Sequence, residues 1–302
     1  MNSPARIISA CLVAALAMWT LIAVLIHEGR RVTLQWGEST GRNLARTLAE
    51  HQEASVRAVD ESLRELRERW ARDAAGFDAA VAQLGNSAVV EVMALDPDDV
   101  VRYSRPPLKE PLDLSGRESI QALKRRGADE LHISAPVTAP ASGRRALQFI
   151  RPIFDADKRY AGAVILAVPP PELDAELKGV DLGPRGIVML ARADGTVLAR
   201  TRGDPGRVVT LVGWAGLGDE GPPSGSFGGR SRFDGVERLF AYQRLRNYPL
   251  TVYVGQDAEG VLRAHARDRT LLIGAGAIGT LLLAALAVRL VRRRARLAVR
   301  GV

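Results

Sequence analysis

The stretch GRRALQFIRPIFDADKRYAGAVILAV, residues 143–168, decides the fold. Arg144–Phe154 and Tyr160–Val168 are runs rich in β-branched, aromatic and other apolar residues, and Asp155-Ala156-Asp157 turns the chain between them. They read as adjacent antiparallel strands, and the second is the most apolar strand of the chain. Upstream, Leu131–Val137 reads as a third strand, set off by a Pro/Ser/Gly turn at 140–143. Residues 113–126 read as a short helix with Asp113 or Ser115 as its N-cap. Before it, Ala88–Leu95, the turn Asp96-Pro97-Asp98-Asp99 and Val100–Ser104 form a hairpin.

Downstream, Pro169-Pro170-Pro171 closes this unit and a helix is expected over Glu172–Lys178. A similar series then begins again. Gly186–Arg192 and Thr196–Arg200 form a hairpin about an Asp194-Gly195 turn. Residues 202–231 hold nine Gly and three Pro and read as a long irregular connection. Val236–Arg244 and Leu250–Gly255 are two further strands, joined through Asn247-Tyr248-Pro249. The element order repeats although the sequence does not. Each unit is large enough, at about 100 residues, to close its own core.

Both units lie between two apolar runs. Ile7–Ile26 is twenty residues without a charge, and Thr270–Val288 is nineteen. Either spans about 30 Å as a helix, the thickness of a bilayer core. The first is followed by His27-Glu28-Gly29 with no small-x-small cleavage site, so it is expected to remain as an anchor. The formal charge of +8 follows the same layout. Seven of the 42 basic residues lie in segments 1–26 and 270–302, which hold no acid, leaving 35 bases against all 34 acids between them. The charge therefore marks membrane topology, and no nucleic-acid partner is expected. Arg289, Arg292, Arg293, Arg294, Arg296 and Arg300 place the C-terminal end inside the cell, and Arg30 and Arg31 oppose this only weakly. The expected protein is a two-pass inner-membrane protein with cytoplasmic termini and residues 28–269 outside. The tail arginines also suit anionic lipid headgroups.

From Val32 to Arg72 the pattern is helical. Ala45, Ala49, Gln52, Val56, Val59, Leu63, Leu66 and Trp70 repeat at spacings of three and four. Such a stripe either lies on the core of its own domain or forms the seam of a homodimer, and a homodimer is expected. In the second apolar run, Ala275 and Gly279 form a small-x3-small pair, with Gly274 and Gly276 nearby, suited to close helix contact.

This arrangement resembles the double-Cache (tandem PAS-like) extracytoplasmic sensor regions of bacterial transmembrane receptors, as found on diguanylate cyclases and histidine kinases. The likeness rests on the long helix, on DLSGRESIQAL (113–123), on residues 143–168, on LGPRGIVMLARADGTVLAR (182–200) and on YPLTVYVGQD (248–257). It implies an α+β fold: a long N-terminal helix and two tandem antiparallel sheets flanked by two transmembrane helices. The expected segments are 1–27 with the first span, 28–72 the helix, 73–168 the membrane-distal domain, 169–258 the membrane-proximal domain, 259–289 the second span and 290–302 the tail. The resemblance also implies a small-molecule pocket in the distal sheet and a proximal sheet that is often unliganded. Arg117 stands at the family's Arg position, but Ser119 and Ile120 replace its aromatic pair, and Ala167 stands where its amine-binding aspartate falls. A carboxylate held by Arg is the ligand chemistry that remains.

Arg117, Tyr103, His132, Ser134, Arg145, Gln148 and Arg151 are the polar residues expected to line the distal pocket. Alternate residues of a strand share a face, so Arg145 with Phe149 and Gln148 with Ile150 point to opposite sides, and only one set looks inward. His27, His51, His132 and His265 lack metal-ligand spacing, and no cofactor is expected. Cys11 is the only cysteine, so no disulfide forms within the chain. There is no nucleophile elbow and no P-loop, so an enzyme is not expected. The expected function is small-molecule sensing across the membrane, with output passed to a separate cytoplasmic signalling protein. An envelope scaffold that binds another protein through its sheets is the alternative.

Overall fold

The computed structural model describes residues 4–84, 89–170, 182–202, 209–211, 213–217, 221–231 and 234–299. Helix α1 (Pro4–Arg72) runs unbroken for 69 residues, from the first apolar run to the far end of the molecule. Helix α2 (Ala74–Gln83) follows, its first turn capped by the Asp73 carboxylate, which accepts from the Gly76 N–H at 2.9 Å.

The first sheet contains β1 (Glu91–Leu95), β2 (Val101–Arg105), β3 (His132–Ile133), β4 (Val137–Thr138), β5 (Arg145–Phe154) and β6 (Tyr160–Val168). Its order is β2-β1-β6-β5-β3, with β4 also on β5, and every pairing is antiparallel. Helix α3 (Glu118–Arg126) covers one face and α1 the other. Strand β6 is apolar throughout because both of its faces are covered: Val164 and Leu166 pack beneath α1, Ala163 and Ile165 beneath α3. Gly162 is required where β6 meets β1. Its φ is +123°, and a Cβ there would lie 2.1 Å from the Leu95 carbonyl oxygen.

The second sheet contains β7 (Ile187–Arg192), β8 (Val197–Arg200), β9 (Ser224–Arg230), β10 (Glu237–Arg244) and β11 (Leu250–Asp257), in the order β8-β7-β11-β10-β9. Helix α4 (Ala258–Val299) leaves directly from β11. Two helices, α1 and α4, are thus long and apolar enough to cross a membrane.

Four local expectations change. Leu131–Val137 is two short strands, because the Ser134 hydroxyl turns back to donate to Ala135 O and Pro136 has no N–H to give. The N-cap of α3 is Arg117, with no side-chain cap, while Asp113 instead accepts from the Ser115 N–H at 2.7 Å. The stretch 202–231 is not wholly irregular, since β9 pairs along its length with β10. The close helix approach in the second apolar run is at Gly276 and Gly279, where a Cβ would fall 2.6 Å from Ile22 and 2.8 Å from Met18. The helix expected at Glu172–Lys178 lies outside the described residues.

The stripe on α1 resolves into its own core. Ala45, Ala49, Val56, Leu63 and Leu66 are buried in one cluster with Phe149 and Leu166 of the first sheet and Leu190 and Val252 of the second. Burying Leu63 or Leu66 contributes about 1.5–3 kcal/mol each. This half of α1 is spent within the chain, so a dimer seam would need another of its faces.

Candidate functional site

The first sheet has two unlike faces. On the α1 side, Arg151 is 4% exposed and grips Asp60 of α1, with Nη2 donating to Oδ2 at 2.9 Å. Its Nη1 donates to Asp129 at 2.7 Å, which Arg67 also reaches. Burial alone would depress the Arg151 pKa, but hydrogen bonds and charge from Asp60 and Asp129 outweigh it and hold the guanidinium ionised. Tyr103 also lies on this side, since it pairs with core residue Ala94, and its hydroxyl donates to Asp78 at 2.6 Å. Burial and Asp78 push that hydroxyl up to about 12. Arg145 shares the strand alternation of Leu147, Phe149 and Arg151.

The face under α3 is built differently. Glu91, Met93 and Leu95 of β1, Ala163, Ile165 and Ala167 of β6, and Gln148 and Ile150 of β5 alternate onto it. Glu91 pairs with Ala167, and Ala167 with Gln148, so the three form one row across the sheet. Glu91 is 1% exposed and Gln148 2%. Glu91 Oε2 accepts from the N–H groups of Ala141 and Ser142, at 2.9 and 2.8 Å. Its Oε1 has no partner, and neither has Gln148 Nε2; among the described residues they are the only buried side-chain polar atoms so placed. Each costs about 1–3 kcal/mol while unsatisfied. Ala139, Ala146 and Ala167 keep the neighbourhood small.

His132 pairs with Ile150 and so shares this face. Ser134 is spent on the backbone, its Oγ accepting from Gln148 N at 3.0 Å and donating to Ala135 O at 2.7 Å. Arg117 opens α3 half-buried, its backbone tied into the helix start, while its guanidinium has no hydrogen-bond or ion-pair partner among the described residues. The structure therefore sorts the seven sequence candidates. His132, Gln148 and Arg117 belong to the α3 side and Ser134 supports it. Tyr103, Arg145 and Arg151 lie on the α1 side, Tyr103 opposite Ala94 and the two arginines because odd and even residues of β5 point to opposite faces. Glu91 was missed, although a lone carboxylate inside the apolar run AVVEVMAL was its signal.

The corresponding face of the second sheet is closed by its own side chains. Trp214 packs edge-to-face on Phe240 at 4.7 Å, Phe227 stacks on Phe240 at 5.3 Å, and Tyr242 and Tyr253 complete the cluster. The Tyr253 hydroxyl donates to Ala215 O at 2.8 Å. Among the described residues no group of three or more His, Cys, Asp or Glu gathers as a metal site.

No curated protein matches the chain. Solved structures do. The extracellular domain of rpHK1S-Z16, assigned as a histidine kinase, is 25% identical with a TM-score of 0.63, covering 74% of this chain and 96% of that one. The ligand-binding domain of the Pseudomonas fluorescens chemoreceptor CtaA, solved with L-isoleucine, is 14% identical with a TM-score of 0.59 over 78% and 98%. That of the Pseudomonas aeruginosa PAO1 amino acid chemoreceptor PctB, solved with L-Gln, is 16% identical with a TM-score of 0.56 over 75% and 93%. The α+β fold with its two sheets agrees with these relatives, whose matched parts are extracellular or ligand-binding domains of receptors. The family model for the Cache domain matches residues 30–264, most of the chain, and the protein belongs to the Cache domain family.

Proposed function

We propose that the chain is a membrane-anchored extracytoplasmic sensor whose small-molecule ligand lies on the α3-facing side of the first sheet. One observation carries this: Glu91 Oε1 and Gln148 Nε2 are buried, unpartnered and aligned on one row. A ligand that brings a donor to Glu91 and an acceptor to Gln148 recovers two desolvation penalties at once. A protonated amine suits the carboxylate. A carboxylate or carbonyl suits the amide, with the Arg117 guanidinium as a second anchor. The free amino acids solved in CtaA and PctB carry both groups, which supports this chemistry. Glu91 would then supply, from a neighbouring strand, the negative charge that Ala167 does not.

The route outward runs through shared elements. Helix α1 packs on both sheets. Arg192 of β7 donates to the Ile133 carbonyl of β3 at 3.0 Å. Strand β11 passes without a break into α4. A ligand that favours one packing of these elements over another moves the cytoplasmic end of α4, in proportion to its differential affinity for the two states. In this reading the chain is an inner-membrane homodimer with cytoplasmic termini, and a cytoplasmic signalling protein reads α4.

The test uses the full chain in lipid nanodiscs. Melting is followed across a library of amino acids, amines and carboxylates, with Glu91→Gln and Gln148→Leu alongside. At least one compound is expected to raise the midpoint, and either substitution to abolish that rise. A library that leaves the wild-type midpoint unmoved would overturn the reading.

A further inference from the structure

A second site is built where α1 and α4 leave their apolar segments. There the two helices enclose a cleft of about 610 Å³, lined by Ala23, Ile26, His27, Arg30, Leu262 and Arg269 among others. Ala23 and Ile26 belong to the last turn of the first uncharged run, and Arg269 immediately precedes the second. The register agrees: Trp19 Nε1 donates to Thr280 Oγ1 at 3.0 Å and Ile22 abuts Gly276, which sets the ends of the two runs side by side. The cleft thus sits at the level where hydrocarbon gives way to headgroups.

Its charge is uncompensated. Arg30 and Arg269, from different helices, are exposed, and neither guanidinium has a hydrogen-bond or ion-pair partner among the described residues. Two other arginines near this end are paired, Arg31 with Glu28 at 3.1 Å and Arg263 with Asp257 at 3.6 Å. Neither Glu28 nor Asp268, the nearest carboxylates in sequence, lines the cleft. Two guanidiniums above an apolar floor match a phosphate diester that carries acyl chains, because the planar fork holds phosphate oxygens two at a time while the chains cover Ala23 and Ile26. Inorganic phosphate offers the charge but leaves that floor uncovered.

We propose that this cleft binds the phosphate of an anionic phospholipid in the leaflet facing the two sheets. The inference rests on the two-span part of the sensor reading and is independent of the ligand. The bound lipid joins α1 to α4 where any movement of α4 must pass, so the lipid composition of that leaflet sets how readily the helices part.

The experiment is native mass spectrometry of the full chain released from nanodiscs of phosphatidylcholine with or without phosphatidylglycerol. The wild type is expected to retain phosphatidylglycerol in preference to phosphatidylcholine. Retention should fall about tenfold in Arg30→Gln/Arg269→Gln. An Arg292→Gln/Arg293→Gln variant controls for the basic patch at the other membrane face and should keep the tightly held lipid. Equal retention of the two lipids, or loss only in the control variant, would overturn the proposal. Displacement by millimolar inorganic phosphate would do the same and assign the cleft to the free anion. Failure of the two-span reading itself is seen separately, as a chain that alkaline carbonate strips from membranes.

Discussion

The two sheets share one strand order and opposite surfaces. In each, two hairpin strands, a central last strand and its neighbours follow the same path, β2-β1-β6-β5-β3 in one and β8-β7-β11-β10-β9 in the other. Both lay one face on α1. On the other face the second sheet stacks Trp214, Phe227, Phe240, Tyr242 and Tyr253, and the Tyr253 hydroxyl finds a carbonyl. The first sheet sets alanines beside two buried polar atoms that find nothing. One scaffold therefore yields a face that completes itself and a face that leaves two buried polar atoms unmatched. The difference lies in a few side chains, not in topology.

The largest expected effect comes from the α1 side, which the two sheets share. Asp60 takes Arg151 from the first sheet and the Tyr248 hydroxyl, at 3.4 Å, from the turn that joins β10 and β11 of the second. Arg151→Met leaves Asp60 as a buried charge without its main partner and should cost about 3–5 kcal/mol. Chemical denaturation measures the loss, and hydrogen exchange should show weakened protection in both sheets. A loss confined to the first sheet would mean that Asp60 does not link them.

Next in size is the self-filled face. Phe240→Ala removes a fully buried ring from the aromatic cluster and should cost about 3 kcal/mol. The midpoint rise produced by ligand should survive it. If the rise disappears as well, the second sheet takes part in recognition and the contrast between the faces is wrong.

A pair of polar deletions then sets the sheets against each other. Tyr253→Phe removes a satisfied hydroxyl and should lower stability by about 1 kcal/mol. Gln148→Met removes an unsatisfied amide at similar volume and should raise the stability of the unliganded chain by about 1 kcal/mol while abolishing the ligand response. Equal signs for the two substitutions would mean that water already satisfies Gln148.

Much of this was legible in the residues. Strand β6 and its turn were plain, because a nine-residue apolar run after Asp155-Ala156-Asp157 has few other readings. The α1 stripe was legible as periodicity, but not its destination: the same spacing serves a core or a seam, and only the sheets beneath it decide. Strand β9 was hidden because SGSFGGR has little strand propensity of its own. Its glycines answer to neighbours; a Cβ on Gly225 would lie 2.8 Å from the Tyr242 hydroxyl oxygen. The site was half legible. Alternation separated Gln148 from Arg151, but which set met α3 depended on Asp60, ninety-one residues away.

The smallest effect expected is on acid stability, and it extends the contrast to ion pairs. In the second sheet, hydrogen bonds from Arg238 outweigh burial and hold Asp234 at about 2. In the first sheet, burial pushes the Asp129 carboxyl up, but Arg67 and Arg151 outweigh it, so its pKa too falls below the ordinary value. Arg185 does the same for Asp257 against the same burial penalty. All three are lower in the folded state than in the unfolded chain. Their contribution is therefore complete above the ordinary carboxylate range, about pH 4, and is lost as pH falls through the folded values. Stability should be flat from about pH 7 to 5 with respect to these groups and should decline from about pH 4 towards 2. The Asp234 side chain is 37% exposed, so solvent screening leaves its share at about 1 kcal/mol. Asp234→Asn should shrink the acid decline by that amount in a pH series of denaturation curves. Arg67→Gln should shrink it through Asp129. A decline that ignores both substitutions would mean that these carboxylates do not carry the acid sensitivity.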